Sequence, residues 1–242
     1  MKTGHGVRRS PKNSANHATA TPPTEKERSR RRKGFPGRTV IANRPNARAA
    51  FLNIPYDEQF GDLYLAYIAA LTAYGMTPRA TLELPGGARR LDRIIELIGS
   101  CRYSFHDLSR VELDFADPPT PRLNMGFELG LTVAWDRLLP GRHVWFVLES
   151  VNRRALKSLS DLAGTDVHIH SGTPEGVFRE IGNAFARRKK HPTVQDVHYI
   201  YRGLQAALPG IMEQTGAQSR YEAHTFREIL VAAAEMVGRK LA

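Results

Sequence analysis

Glu128 is the residue most out of place in this chain. Between Met125 and Trp135 nearly every position is apolar or small, and Glu128 interrupts that run. A carboxylate carried into apolar surroundings loses hydration, so its pKa rises unless donors satisfy it. The first turn of a helix offsets part of that cost through its free N–H groups. A glutamate there can also complete a capping arrangement, here with Asn124, which needs no ligand. Directly upstream, Pro121-Arg122-Leu123-Asn124 places a guanidinium fork, suited to phosphate or carboxylate, at the start of that helix. Asp107 ends the apolar stretch Tyr103-Ser104-Phe105-His106, the position at which α/β proteins keep a ribose- or metal-binding carboxylate. The same aspartate can instead open its loop with an Asx-turn. Asn53, Tyr56 and Asp57 follow an earlier apolar run in the same manner, and Tyr56 offers a ring for stacking.

Other candidates carry less chemistry. His168 and His170 alternate as two ligands on one strand face would, but no third ligand accompanies them, so structural histidines and no metal are expected. Cys101, the only cysteine, lies among apolar residues and reads as an inert buried thiol. Gly86-Gly87 reads as a turn, and neither G-x-x-x-x-G-K-[ST] nor G-x-G-x-x-G occurs, which excludes P-loop and dinucleotide-fingerprint readings.

The elements that must position these groups alternate. Ala49 to Ile54 is a short apolar run stopped by Pro55, as a buried strand would be. Phe60, Leu63, Tyr64, Tyr67, Ile68 and Leu71 form one wide helical face, ended by Gly75. Strands are expected at Met76–Leu84, Tyr103–Leu108, His143–Leu148 and Val167–Ile169. Helices are expected around Leu91–Ile98, over Leu123–Leu138 and over Val177–Phe185. The Leu123–Leu138 helix, apolar nearly all round, is expected to be buried on every side. This order predicts a doubly wound α/β domain over residues 49–190, flavodoxin-like or TIR-like, with a mainly parallel five-stranded sheet. Ligands of such sheets bind beyond the carboxyl ends of the strands, which directs attention to loops 53–59, 84–90, 107–122 and 149–165. Ser109, Arg110 and Asn124 join the candidate binding set on that ground.

Residues 191–242 read as a helical extension. Phe226, Ile229, Leu230, Ala233, Met236 and Val237 form a stripe that must cover something, either this domain or a second copy of the chain. The net charge of +11 is confined to the other end. Residues 1–48 hold 13 of the 35 Lys and Arg against Glu25 and Glu27, whereas the 22 basic and 22 acidic residues that follow cancel. The folded part therefore has no global field for a polyanion. The segment 1–48 is too poor in apolar residues to offset its ordering entropy and is expected to be a disordered tail. Its run Arg28-Ser29-Arg30-Arg31-Arg32-Lys33 suits RNA, DNA or an anionic membrane surface, beside the plainer reading of a solvated tail. A cytoplasmic protein is expected: there is no membrane-length apolar run, no signal-peptide pattern and no cysteine pair.

The strand ending Asn53-Ile54-Pro55-Tyr56, the helix Leu91-Asp92-Arg93-Ile94-Ile95, His106-Asp107-Leu108-Ser109 and Asn124-Met125-Gly126-Phe127-Glu128-Leu129-Gly130 together resemble the nucleoside 2-deoxyribosyltransferase-like and TIR-like superfamily. The likeness is nearest to a bacterial group of TIR-like nucleotide-binding proteins and covers roughly residues 49–185. It implies cleavage or transfer at the N-glycosidic bond of NAD or a nucleoside, with NAD or a nucleotide as substrate or ligand rather than resident cofactor. Glu128 would be the nucleophile or the stabiliser of an oxocarbenium-like transition state. Asp107 would orient the sugar or assist protonation of the base, and Arg122 would meet a phosphate. Gly126 departs from the pattern of that group, which usually has proline there. A role in bacterial defence and self-assembly through the C-terminal helices are further implications. Two other readings stand beside the enzyme: a non-catalytic nucleotide-sensing module of the same fold, and a nucleic-acid-associated protein acting through residues 1–48.

Overall fold

The computed structural model describes residues 44–83, 89–112, 117–189 and 191–241 of the 242. The expectations for the tail up to residue 43 and for the Gly86-Gly87 turn lie outside them. Five parallel strands stand in the order β2-β1-β3-β4-β5: β1 Asn46–Asn53, β2 Thr77–Ala80, β3 Cys101–Asp107, β4 Val144–Glu149 and β5 Val167–Ile169. β1 begins at Asn46, so the expected boundary between tail and domain at residue 49 moves back into the strand.

The helices are α1 Gly61–Ala73, α2 Arg90–Ser100, α3 Asn124–Leu138, α4 Arg154–Ser158, α5 Pro174–Ala184, α6 Val194–Thr215 and α7 Ala223–Leu241. Successive side chains of a strand point to opposite faces, and β1 shows what each face meets. Ala50 and Leu52 join the large core formed with α1, α5, α6 and α7, while Ala49 and Phe51 pack with Ile94, Leu97 and Ile98 of α2. A third cluster, containing Met125 and Leu129 of α3 with Leu108, Val147 and Ala155, continues that second face.

Two helices depart from their expected surroundings. α1 was expected to bury one wide face, yet every residue but Asp62 is buried, because the C-terminal helices lie on its outer side. The α7 stripe is used there: Phe226, Ile229 and Ala233 belong to the core. α3, expected to be buried all round, buries only Met125, Glu128, Leu129 and Thr132, and leaves Phe127 56 % and Leu138 77 % exposed. Nothing among the described residues covers its outer side, so apolar composition there is not matched by burial.

Local chemistry explains the remaining boundaries. β2 stops at Ala80, not Leu84, because Glu83 turns back to accept hydrogen bonds from the Ala80 N–H (2.8 Å) and Arg79 Nε (2.8 Å), closing a 3-10 turn over Thr81–Glu83. α5 starts at Pro174, three residues before the first expected apolar position, because Thr173 Oγ1 caps the Gly176 N–H (3.1 Å). Gly176 is required by close approach, since a Cβ there would lie 1.8 Å from the His170 carbonyl oxygen.

Candidate functional site

The chain moves from β1 outward to β2 and then crosses to the opposite side of β1 to form β3, so strand order reverses between β1 and β3. A crevice at the carboxyl ends of such a pair is where sheets of this order bind ligands. Asn53 and Asp107 end those two strands, and Asn53 pairs with His106 in register. Among the described residues, the three non-glycine residues with positive φ, Arg89, Arg153 and Ser171, all lie in loops that follow strand carboxyl ends.

Asp107 is wholly buried, and its oxygens are already occupied. Oδ1 accepts the Ser109 N–H (2.9 Å), which is the Asx-turn geometry, and Oδ2 accepts the Tyr67 hydroxyl (2.7 Å) and His170 Nε2 (3.0 Å). Burial pushes its pKa up, but His170, Ser109 and Tyr67 together outweigh burial and hold the carboxyl below its usual value. Asp107, His170 and Ser109 have the residue types of a nucleophilic triad without its geometry. His170 Nδ1 accepts the Gly172 N–H (3.1 Å), so the ring proton of the neutral imidazole sits on Nε2. Both Asp107 Oδ2 and Ser109 Oγ (3.1 Å) face that same nitrogen, which therefore has no lone pair to take a proton from serine. The group forms a rigid platform. It continues through Ser150, whose N–H donates to Ser109 Oγ (2.9 Å), to the buried Glu149, gripped by Arg154 at 2.6 Å.

Asn53 is a structural tie. Its Nδ2 donates to the Met125 carbonyl in the first turn of α3 (2.8 Å) and to His106 Nδ1 (2.9 Å). A row of hydrogen bonds follows: His106 Nε2 to Ser104 Oγ, Ser104 Oγ to His143 Nε2, and His143 Nδ1 to the Cys101 carbonyl, each 2.9 Å. Burial pushes His106 down to about 3 and His143 below its ordinary value, so both rings are neutral. Cys101 is buried, and its thiol is pushed up to about 12 by burial.

Glu128 differs from these groups in having no partner among the described residues. It is 6 % exposed and lies within the electrostatic reach of Tyr56 and Arg90, and no described residue gives it a hydrogen bond or an ion pair. Burial raises its pKa to about 7, against a smaller opposing pull from Arg90. The capping arrangement with Asn124 does not form: the N-cap is Leu123, no side chain caps the helix, and Asn124 is exposed. One turn on, Thr132 Oγ1 is buried without a hydrogen-bond partner among the described residues.

Arg110 and Arg122 converge on a single carboxylate oxygen, Asp57 Oδ2, at 3.2 Å and 3.1 Å. Asp57 Oδ1 accepts the Phe60 N–H (3.0 Å), so this carboxylate is anchored while two positive charges share it. Tyr56 turns inward: its hydroxyl donates to the Leu52 carbonyl (3.2 Å), and its ring packs against Tyr64 and Tyr221. Its ring is taken up by those neighbours rather than offered for stacking.

The structure thus groups the expected residues into an arginine pair on Asp57, a closed platform under Asp107 and Ser109, a tie at Asn53, and an unpaired Glu128. Tyr67, Glu149, Arg154 and Tyr221 complete these groups without having been singled out as site residues in the sequence, and His170, read there as a structural histidine, joins them. Glu149 and Arg154 carried one signal, their place in the carboxyl-end loop 149–165. His168 does not join His170; it pairs with Glu180 at 3.1 Å. Among the described residues, no cluster of three His, Cys, Asp or Glu could hold a metal ion, and no helix is long and apolar enough to cross a membrane. A cavity of about 660 Å³ between Glu83 and the Phe226, Arg227 and Leu230 side of α7 includes none of the expected site residues. No family model, no curated protein and no solved structure matches the chain.

Proposed function

We propose that the crevice between β1 and β3 cleaves, or transfers at, the N-glycosidic bond of NAD or another nucleoside or nucleotide, with Glu128 as the reacting carboxylate. The observation that carries this reading is Glu128 itself, buried in the first half of α3 without a hydrogen bond or ion pair to any described residue and shifted to about 7. Burying a carboxyl costs stability, and carboxyls shifted in this way concentrate at functional sites. Ionised, Glu128 would stabilise positive charge developing on a ribose anomeric carbon or attack it directly. The bond from that carbon to the base nitrogen breaks, its electron pair leaves with the base, and water or an acceptor nucleophile completes the exchange. Arg110 and Arg122 share the Asp57 carboxylate, with Glu112 a further 4.0 Å partner of Arg110, and their guanidinium forks suit a ligand phosphate. A cytosolic setting and a part in bacterial defence go with this reading.

One observation favours the sensing module instead. Asp107 is sealed beneath the crevice with its acceptors filled, so it serves as a positioning group and not as an acid for the departing base. A site that lacks an acid suits a leaving group that needs none, such as nicotinamide from NAD, or suits binding alone. Turnover of NAD and of nucleosides by the purified protein, followed as nicotinamide or free base, separates the two. Release by the wild type and a loss of about 100-fold or more in Glu128→Gln supports the glycosidase. No release from either protein, with nucleotide binding retained in both, supports the sensor.

A further inference from the structure

We infer that Tyr221, in the turn between α6 and α7, is a positioning residue of the crevice that makes the C-terminal hairpin part of the site. The Tyr221 hydroxyl donates to the Asp57 carbonyl, on the same residue whose carboxylate holds Arg110 and Arg122. The neighbouring Arg220 reinforces this contact. Its Nη2 reaches Glu58 Oε2 at 3.1 Å, and its backbone carbonyl accepts the Tyr64 hydroxyl at 3.4 Å. Its guanidinium lies so close over Gly61 that a Cβ there would come within 2.6 Å of Nη1. The Tyr221 ring packs on Tyr64 and Tyr56, with centroids 5.1 Å and 5.7 Å away.

These contacts act on a short segment. The backbone carbonyl of Asp57 accepts both the Tyr221 hydroxyl and the Phe60 N–H (3.0 Å), its Oδ1 fixes the following 3-10 turn, and its Oδ2 orients the two arginines. A carbonyl and a carboxylate on one residue cannot move independently by much, since few torsions separate them. Without the Tyr221 hydroxyl the carbonyl is held by the Phe60 N–H alone, which loosens the carboxylate and with it Arg110 beyond β3 and Arg122 at the entrance to α3. Burial raises the Tyr221 phenol to about 12, so it remains a donor throughout the physiological range. A cap that merely covered α1 would need the Tyr221 ring but not its hydroxyl. The hydroxyl is the part aimed at the site.

Tyr221→Phe keeps the ring and removes only that hydroxyl. Hydrogen exchange of the full-length protein followed by mass spectrometry is the direct test, with Arg220→Gln as a second variant that weakens the same clamp. Loss of one hydrogen bond is expected to speed exchange about five-fold in residues 55–60. Faster exchange should also reach 107–112 and 122–128, while the α1 core stays protected. A change confined to residues 216–223, or no change, overturns the inference. A second readout rests on the proposed function: affinity for adenosine 5′-monophosphate should fall about three-fold or more in Tyr221→Phe with adenosine unaffected. Equal affinity of wild type and Tyr221→Phe for the monophosphate overturns the inference. Binding by neither protein counts against the functional reading, and the exchange data still decide the role of Tyr221.

Discussion

The two faces of the sheet are covered to different depths. On one face α1 is enclosed by the strands beneath and by α5, α6 and α7 around it, and its tyrosines and aliphatic side chains form the largest core. On the other face α2 and α3 form a single layer, and α3 turns Phe127 and Leu138 outward. The unpaired carboxyl of Glu128 belongs to this thinner side, whereas the sealed carboxyl of Asp107 is held from the thicker one through Tyr67. Rigidity is concentrated behind the crevice and unsatisfied chemistry in front of it. Such a division lets a binding site keep a costly group without endangering the fold, because its instability is local.

Substitutions can test that division directly. The largest effect is expected on the enclosed face, where Phe226→Ala should lower unfolding stability by about 3–5 kcal/mol, measured by denaturant titration. A loss under about 1 kcal/mol would show that the C-terminal helices are not an integral layer. Next in size are opposite pH responses of the two carboxyls. Glu128 has a folded pKa above its unfolded value, so its contribution to stability is complete at pH below about 4.5 and is lost as pH rises through about 7. Glu128→Gln should remove a decline of about 2–3 kcal/mol across that interval. Identical pH profiles for the two proteins would mean that Glu128 has a partner after all. Asp107 has a lowered folded pKa, so its contribution is present above the usual carboxylate value and is lost as pH falls through the lowered one. Asp107→Asn should therefore flatten the acid limb of the same curve and leave the neutral limb unchanged. The smallest effect is expected at Phe127→Ser on the open face, within about 0.5 kcal/mol of wild type. A larger loss would reveal a covering element on α3.

The alternation of strands and helices was legible in the sequence because two short-range periods, near 2 and near 3.6, are set by which face is buried. The parallel order and the position of the crevice follow from that alternation. Depth of cover was not legible, since an apolar helix surface reads alike whether a neighbour covers it or not. α1 and α3 were misjudged in opposite directions for that one reason. Glu128 stood out because it broke a local pattern. Asp107 also stood out, but its fate depends on Tyr67 and His170, which are 40 and 63 residues away in the chain. The pairing of Arg110 with Arg122 through Asp57 likewise joins the ends of one loop to a second loop, and no spacing rule connects them.

The row of hydrogen bonds along β3 has a direction. With Asn53 donating at one end and the Cys101 carbonyl accepting at the other, His106 must carry its proton on Nε2 and His143 on Nδ1. Nitrogen NMR should record these two histidines as opposite tautomers at neutral pH. For a proton to travel along the row, every donor would have to reverse, including an amide nitrogen that has no lone pair to accept with. The strand beneath the crevice is thus an insulator, and any proton exchanged in the site has to come from the solvent side or from the ligand.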